Sequence, residues 1–213
     1  MQRHLTALDQ LIINADKGLT TLFGNTRTTG RPYPAEEQQS HDLSASEQQH
    51  AAGLMRINHA GEVAAQGLYQ GQALTAKLPE VRQQMEHAAL EENDHLKWCE
   101  QRLQELNSHK SRLSPLWYGG SFSLGALAGL AGDKWSLGFV AETEKQVIKH
   151  LDEHFTSLPE KDQRSLAILK QMQEDERQHE QLALESGGAE LPWPVRTLMG
   201  LTAKIMTRTA YKW

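Results

Sequence analysis

The sequence predicts an all-α protein, a four-helix bundle with additional N- and C-terminal helices. Three observations predict it. Four long segments carry apolar residues at steps of three and four, helix-start and helix-stop signals bracket those segments, and the alternating pattern of strands is nearly absent.

Each element follows from local chemistry. Leu5, Leu8 and Ile12 mark a short N-terminal helix, and the polar stretch "GNTRTTGRPYPAEEQQSHD" after it reads as a connector. "SASE" at Ser44 to Glu47 has the reciprocal capping pattern and opens a helix running to about Lys77. Pro79, a favoured first-turn residue, opens the next, which runs to about Ser108. A further helix starts near Asp133 and stops near Leu158, before Pro159; another runs from there to "SGG" at Ser186, where glycine ends helices. Between the two pairs lies the uncharged "LSPLWYGGSFSLGALAGLAG", Leu113 to Gly132. Its length approaches that of a membrane span, but its Pro, Ser and Gly content favours a buried loop leading into a helix. The chain thus divides into an N-terminal helix and connector (1–43), the bundle (44–188) and a C-terminal basic amphipathic helix (189–213).

A chain of 213 residues can bury a real core as one domain. Its net charge of -5 argues against nucleic acid as a partner, because phosphate binding needs a basic surface. Cys99 is the single cysteine, so any metal must be held by histidine and carboxylate, and a reducing compartment is expected. The N-terminus lacks the basic start and continuous apolar run of a signal peptide, and reads as cytoplasmic and unprocessed.

The inward stripes carry the chemistry. On the second long helix the stripe runs Val81, Met85, Ala88, Glu92, His95, Cys99, Leu103 and Leu106, so a carboxylate and an imidazole interrupt an apolar face. The fourth repeats this with Leu169, Met172, Glu176, His179 and Ala183, while the first brings Glu62 inward between Asn58 and Tyr69. On the third, Glu144 lies with Leu137, Val140 and Leu151, whereas Glu142 shares the polar side with Gly138 and Lys145. Unpaired charges in a dry core cost several kcal/mol each, so these acids need a positive partner. Glu62 precedes Glu92-x-x-His95 by 30 positions and Glu144 precedes Glu176-x-x-His179 by 32, as if one helical hairpin were used twice. A Glu from each of two helices and Glu-x-x-His from each of the other two is the ligand set of ferritin-like di-iron and di-manganese bundles. Hard oxygens mixed with imidazole suit iron or manganese better than zinc.

Neighbouring residues have weaker signals. Glu91 and Asp175 each precede a ligand Glu and either orient His179 and His95 across the bundle or are solvated acids at a helix edge. Asn58 and His59 are candidate hydrogen-bonding support for Glu62, His150 and His154 read as surface or supporting histidines, and Glu47-x-x-His50 reads as helix capping. From Trp193 to Trp213, Arg196, Lys204, Arg208 and Lys212 fall on one half of a helical wheel and Val195, Leu198, Met199, Ile205, Met206 and Trp213 on the other. That is either an interfacial helix drawn to anionic lipid or a helix packed on the bundle.

The segments "RINHAGEVAAQGLYQGQ", "EENDHLKWCEQRL", "LWYGGSFSLGALAGLAGDKWSLGFVAETE" and "EDERQHEQLALESGGAELP" resemble the 3-demethoxyubiquinol 3-hydroxylase family of ubiquinone biosynthesis. The resemblance implies a ferritin-like four-helix bundle whose iron ligands are Glu62, Glu92, His95, Glu144, Glu176 and His179, acting catalytically through the metal centre. It implies two iron ions as cofactor and O2 as co-substrate, with one oxygen atom entering the ring of a polyprenylated quinol and the other leaving as water. It further implies a peripheral position at the membrane surface, on the cytoplasmic face of a bacterial inner membrane, and a ubiquinone-biosynthesis complex as setting. An iron-storage or peroxide-handling bundle, or a metal-free docking bundle, are the alternatives.

Overall fold

The computed structural model describes residues 6–213, without the side chains of Ala7, Leu8 and Leu11. The described residues form seven helices and no strand: α1 (Ala7–Phe23), α2 (Ala45–Thr75), α3 (Pro79–Glu105), α4 (Ser114–Ala131), α5 (Asp133–Ser157), α6 (Gln163–Glu185) and α7 (Trp193–Ala210). Of the apolar stripe expected at the N-terminus, Leu5 and the Leu8 side chain lie outside the described residues, and Ile12 is exposed.

The capping signals operate as local chemistry predicts. Ser44 accepts from the Glu47 N–H while the Glu47 carboxylate accepts from the Ser44 N–H, closing a reciprocal box at the start of α2. Pro79 sits in the first turn of α3. At α6 the cap is Asp162, whose carboxylate accepts from Ser165 N–H and from Arg102, tying α3 to the α6 start. Gly187 then takes a positive φ of 95°, which ends α6.

Helices α2, α3, α5 and α6 make the ferritin-like bundle. Its core has two large apolar clusters, one around Met55, Leu103, Leu151 and Ile168 and the other around Tyr69, Met85, Leu137 and Val140, and a small third of Val63, Leu96 and Tyr118. The buried Glu and His residues occupy the layer between the two large clusters.

The uncharged segment differs from its expectation. It is helix α4, not a buried loop, and no described helix is long and apolar enough to cross a membrane. Gly125 and Gly129 are packing surface: a Cβ on Gly125 would collide with the Leu68 carbonyl, and one on Gly71 of α2 with the Phe122 carbonyl. Glycine here permits close approach at four-residue steps, Gly67 and Gly71 of α2 meeting the backbone of Tyr118 and Phe122, and Gly125 and Gly129 of α4 meeting Leu68 and Thr75, and so holds α4 alongside α2. The opposite face, Leu116, Leu124, Leu127 and Leu130, is left exposed. Gly125→Ala is expected to lower stability by about 2 kcal/mol or more, because the colliding atom is backbone and the α2–α4 spacing must widen; guanidinium unfolding measures it. Gly138, assigned to the polar side of α5, is buried for the same reason, with Ala189 backbone against it.

Candidate metal centre

The structure brings the six predicted residues to one layer of the bundle, none more than 7 % exposed. Glu62 comes from α2, Glu92 and His95 from α3, Glu144 from α5, and Glu176 and His179 from α6. Among the described residues, Glu62, Glu92, His95 and Glu176 each offer a donor atom within 4.8 Å of the others.

The histidines point the same way. His95 Nδ1 faces Glu92 Oε2 at 2.9 Å, Glu176 Oε1 at 3.2 Å and Glu62 Oε2 at 3.7 Å. His179 Nδ1 faces Glu176 Oε2 at 3.1 Å and Glu92 Oε1 at 3.3 Å. Glu92 and Glu176 therefore each divide their two oxygens between the two histidines. One N–H serves a single acceptor, and Glu92 Oε1 is buried without a hydrogen bond. A cation beside each Nδ1 would serve these oxygens together, so the donor set fits a pair of iron or manganese ions.

Charge is otherwise balanced by protons. Burial, with the Glu92 carboxylate added, pushes Glu62 well above the usual carboxylate range, and burial with Glu176 and Glu92 does the same to Glu144. Burial opposes ionisation of Glu92 too, but the His95 and His179 imidazoliums hold it well below that range. Against the burial cost, Glu92 and Asp175 hold His95 charged, and Glu176, Glu91 and Glu92 hold His179 charged. Ion binding here must displace protons.

Glu91 and Asp175 stand behind the histidines. His95 Nε2 donates to Asp175 Oδ2 at 2.8 Å and His179 Nε2 to Glu91 Oε2 at 2.9 Å, each across the α3–α6 interface. Residues without any sequence signal extend the His95 side. The connector lays Arg31 across the bundle, where Nη1 donates to Asp175 Oδ2 at 2.7 Å and Nε to Asp94 Oδ2 at 2.8 Å. Its guanidinium lies 4.9 Å from the Trp98 ring centroid, and Thr29 N–H donates to Asp94 Oδ1 at 3.0 Å. The His179 side has a different support: Tyr69 donates its hydroxyl to Glu144 Oε1 and packs edge-on to His179 at 6.5 Å.

Other candidates fall elsewhere. Asn58 reaches Met55 Sδ at 3.9 Å, and His59 Nδ1 has no partner, so neither supports Glu62 through a hydrogen bond. His50 bonds Tyr211 and the end of α5 through Ser157. Cys99 packs against Met172, its thiol pKa pushed up by burial. His154 is buried rather than at the surface, its ring 4.1 Å from His150, and lies about 15 Å of helix from Glu144.

His59 and His154 give a pH dependence. Burial lowers both to about 3 from 6.5, so the folded state holds them neutral. A depressed histidine pKa contributes full stability above pH 6.5 and loses it as pH falls from 6.5 toward 3. At pH 5 the expected loss is about 2 kcal/mol per histidine. Urea unfolding at pH 7.5 and 5 measures it, and His154→Leu should remove about half of the difference that these two contribute.

Comparison with known proteins agrees with this geometry. Residues 49–210 match the family described as "Ubiquinone biosynthesis protein COQ7". A 3-demethoxyubiquinol 3-hydroxylase of Nitrosococcus oceani is 59% identical over 209 residues, covering 98% of each chain. One from Pseudomonas putida strain GB-1 is 59% identical over 211 residues, covering 99% of this chain and 98% of its own. One from Acinetobacter baumannii is 56% identical over 209 residues, covering 98% and 99%. With the match spanning the bundle and nearly the whole length of these relatives, the chain belongs to the COQ7 family of ubiquinone biosynthesis proteins.

Proposed function

We propose that this chain is a di-iron monooxygenase that uses O2 to hydroxylate the ring of a polyprenylated demethoxyubiquinol. The observation that carries the reading is a single imidazole nitrogen, His95 Nδ1, facing carboxylate oxygens from three helices. Two irons, when bound, supply the redox chemistry that O2 activation needs. The remaining work belongs to the chain. Glu62, Glu92, His95, Glu144, Glu176 and His179 would hold the ions. Asp175 and Glu91 accept the Nε2 protons of His95 and His179 and so keep each Nδ1 lone pair aimed inward. The apolar clusters above and below exclude water from the layer. The test is anaerobic ferrous reconstitution, addition of a demethoxyubiquinol analogue and exposure to ¹⁸O2. Product carrying one labelled ring oxygen supports the reading; iron-loaded protein that oxidises its iron without forming product points to iron storage or peroxide handling.

The protein works peripherally, on the cytoplasmic face of a bacterial inner membrane. Leu116, Leu124, Leu127 and Leu130 of α4 and Leu198, Leu201 and Ile205 of α7 face outward, with exposed Lys204, Arg208 and Lys212 beside the latter. Apolar side chains flanked by cations suit an anionic lipid surface. The α7 end is built into the fold, since Arg56 donates to Tyr211 O and Ser111 to Trp213 O, so point substitutions probe the surface better than truncation. The double variant Leu127→Asp, Leu130→Asp should keep its iron, lose sedimentation with phosphatidylglycerol vesicles and lose more activity on long-tailed than short-tailed quinol. Unchanged sedimentation would sink the lipid-facing assignment of α4.

A further inference from the structure

Beneath α1 the structure forms a cleft of about 430 Å³, open to solvent on one side and within the range of small-molecule sites. Asp16, Lys17 and Thr20 of α1 form its roof, and α2 and α3 form its floor. Charge is confined to the rim, where Lys17, Arg27 and Glu86 are exposed, while Gln66, Tyr69, Ala73 and Met85 below are buried and uncharged. A neutral ligand with an apolar body therefore fits better than an ionised one.

Two details say more about that ligand. First, Tyr69 belongs both to this wall and to the metal layer, because its hydroxyl donates to Glu144 and its ring meets His179. The cleft thus abuts the half of the centre that Arg31 does not cover. Second, the cleft-lining Asn93 has an incomplete hydrogen-bond set. Its Nδ2 donates to Arg27 O at 2.8 Å, which fixes the amide orientation, and its Oδ1 is buried without a partner. The other amides are mutually engaged: Tyr118 donates to Gln70 Oε1 at 2.6 Å, Gln70 to Gln66 Oε1 at 2.9 Å, and Gln66 to Ala89 O. The unmatched group is an acceptor, and a buried acceptor left unpaired favours a ligand that donates.

We propose that this cleft is the binding site of the quinol ring, with Tyr69 as the wall shared with the metal centre and Asn93 Oδ1 as acceptor for a ring hydroxyl. The inference rests on the hydroxylase reading above and deepens it. It also assigns a preference for redox state: the quinol carries O–H donors, whereas the quinone presents oxygens that cannot donate to Asn93 Oδ1. The prenyl tail leaves along α1, whose Leu19 and Phe23 are exposed beside the roof.

The experiment is anaerobic calorimetry on iron-loaded, full-length protein with a demethoxyubiquinol analogue bearing one isoprene unit, and with its oxidised quinone. Ala73→Phe, filling the floor, and Thr20→Trp, filling the roof without touching the bundle core, should each retain iron and weaken both ligands about tenfold or more. Asn93→Leu should weaken the quinol about tenfold and leave the quinone within about twofold. If both cleft-filling variants keep their iron and bind as wild type does, the ring site lies elsewhere while hydroxylation by wild type still stands. Equal weakening of quinol and quinone by Asn93→Leu overturns the acceptor role. Wild-type protein that binds neither ligand and yields no labelled product overturns this site and the hydroxylase reading together.

Discussion

Glu176→Ala protein is expected to take up less than about half the iron of wild type after anaerobic ferrous reconstitution, for which about two ions per chain are expected. Its hydroxylation rate should fall below detection. The size of the effect follows from position: Glu176 sends Oε1 toward His95 and Oε2 toward His179, so one substitution removes a carboxylate oxygen from beside both histidines. Metal-free stability should fall as well, by about 3 kcal/mol, because two buried imidazoliums lose a shared counter-charge. Glu62→Gln makes the sharper contrast. Burial and Glu92 keep Glu62 protonated without metal, so an amide should change metal-free stability by less than about 1 kcal/mol while still impairing iron uptake. Elemental analysis with urea unfolding of the same samples separates the two. Full iron content in Glu176→Ala would remove that residue from the ligand set.

Asp175→Asn is expected to weaken metal affinity by about 10- to 100-fold, the usual result of removing the carboxylate behind a ligating histidine. The amide can turn its NH2 toward His95 Nε2 and favour the wrong tautomer, leaving the proton on Nδ1, the nitrogen that faces the Glu62, Glu92 and Glu176 carboxylates. Arg31→Ala should produce a smaller loss through the same route, since Arg31 holds Asp175 and Asp94 with separate nitrogens. Lysine should not restore it, as one ammonium cannot reproduce the planar fork. Combining Arg31→Ala with Asp175→Asn should cost less than the separate losses added together, because both act through one contact. Metal competition against a chromophoric chelator gives these values. Additive losses would mean that Arg31 acts on the fold and not through Asp175.

The resemblance was legible because the bundle is locally specified. Capping residues, Pro79 and the glycine stop at Ser186 act within a turn or two of chain, and the stripes of α2, α3, α5 and α6 repeat at the helical period. A Glu or His on such a stripe is identified by the apolar residues above and below it. The Gly-rich run of α4 was less legible, because glycine reads locally as a breaker and only the α2 backbone opposite makes it a contact surface. The surface-or-supporting reading of His154 has a related cause: i, i+4 spacing gives a shared face but not what covers it.

Residue order is enough to read the helical bundle, which carboxylates and imidazoles point inward, and the family to which they belong. Those properties depend on periodicity and short-range chemistry, which the order of residues contains directly. Only the folded chain shows that Arg31 and Thr29 clamp the His95 side, that Tyr69 joins Glu144 to a cleft, and that Asn93 Oδ1 is buried without a partner beside it. Arg31 meets Asp175 across 144 residues of chain. Contacts of that separation have no period and no spacing rule, and they exist only once the connector and α1 have closed over the bundle.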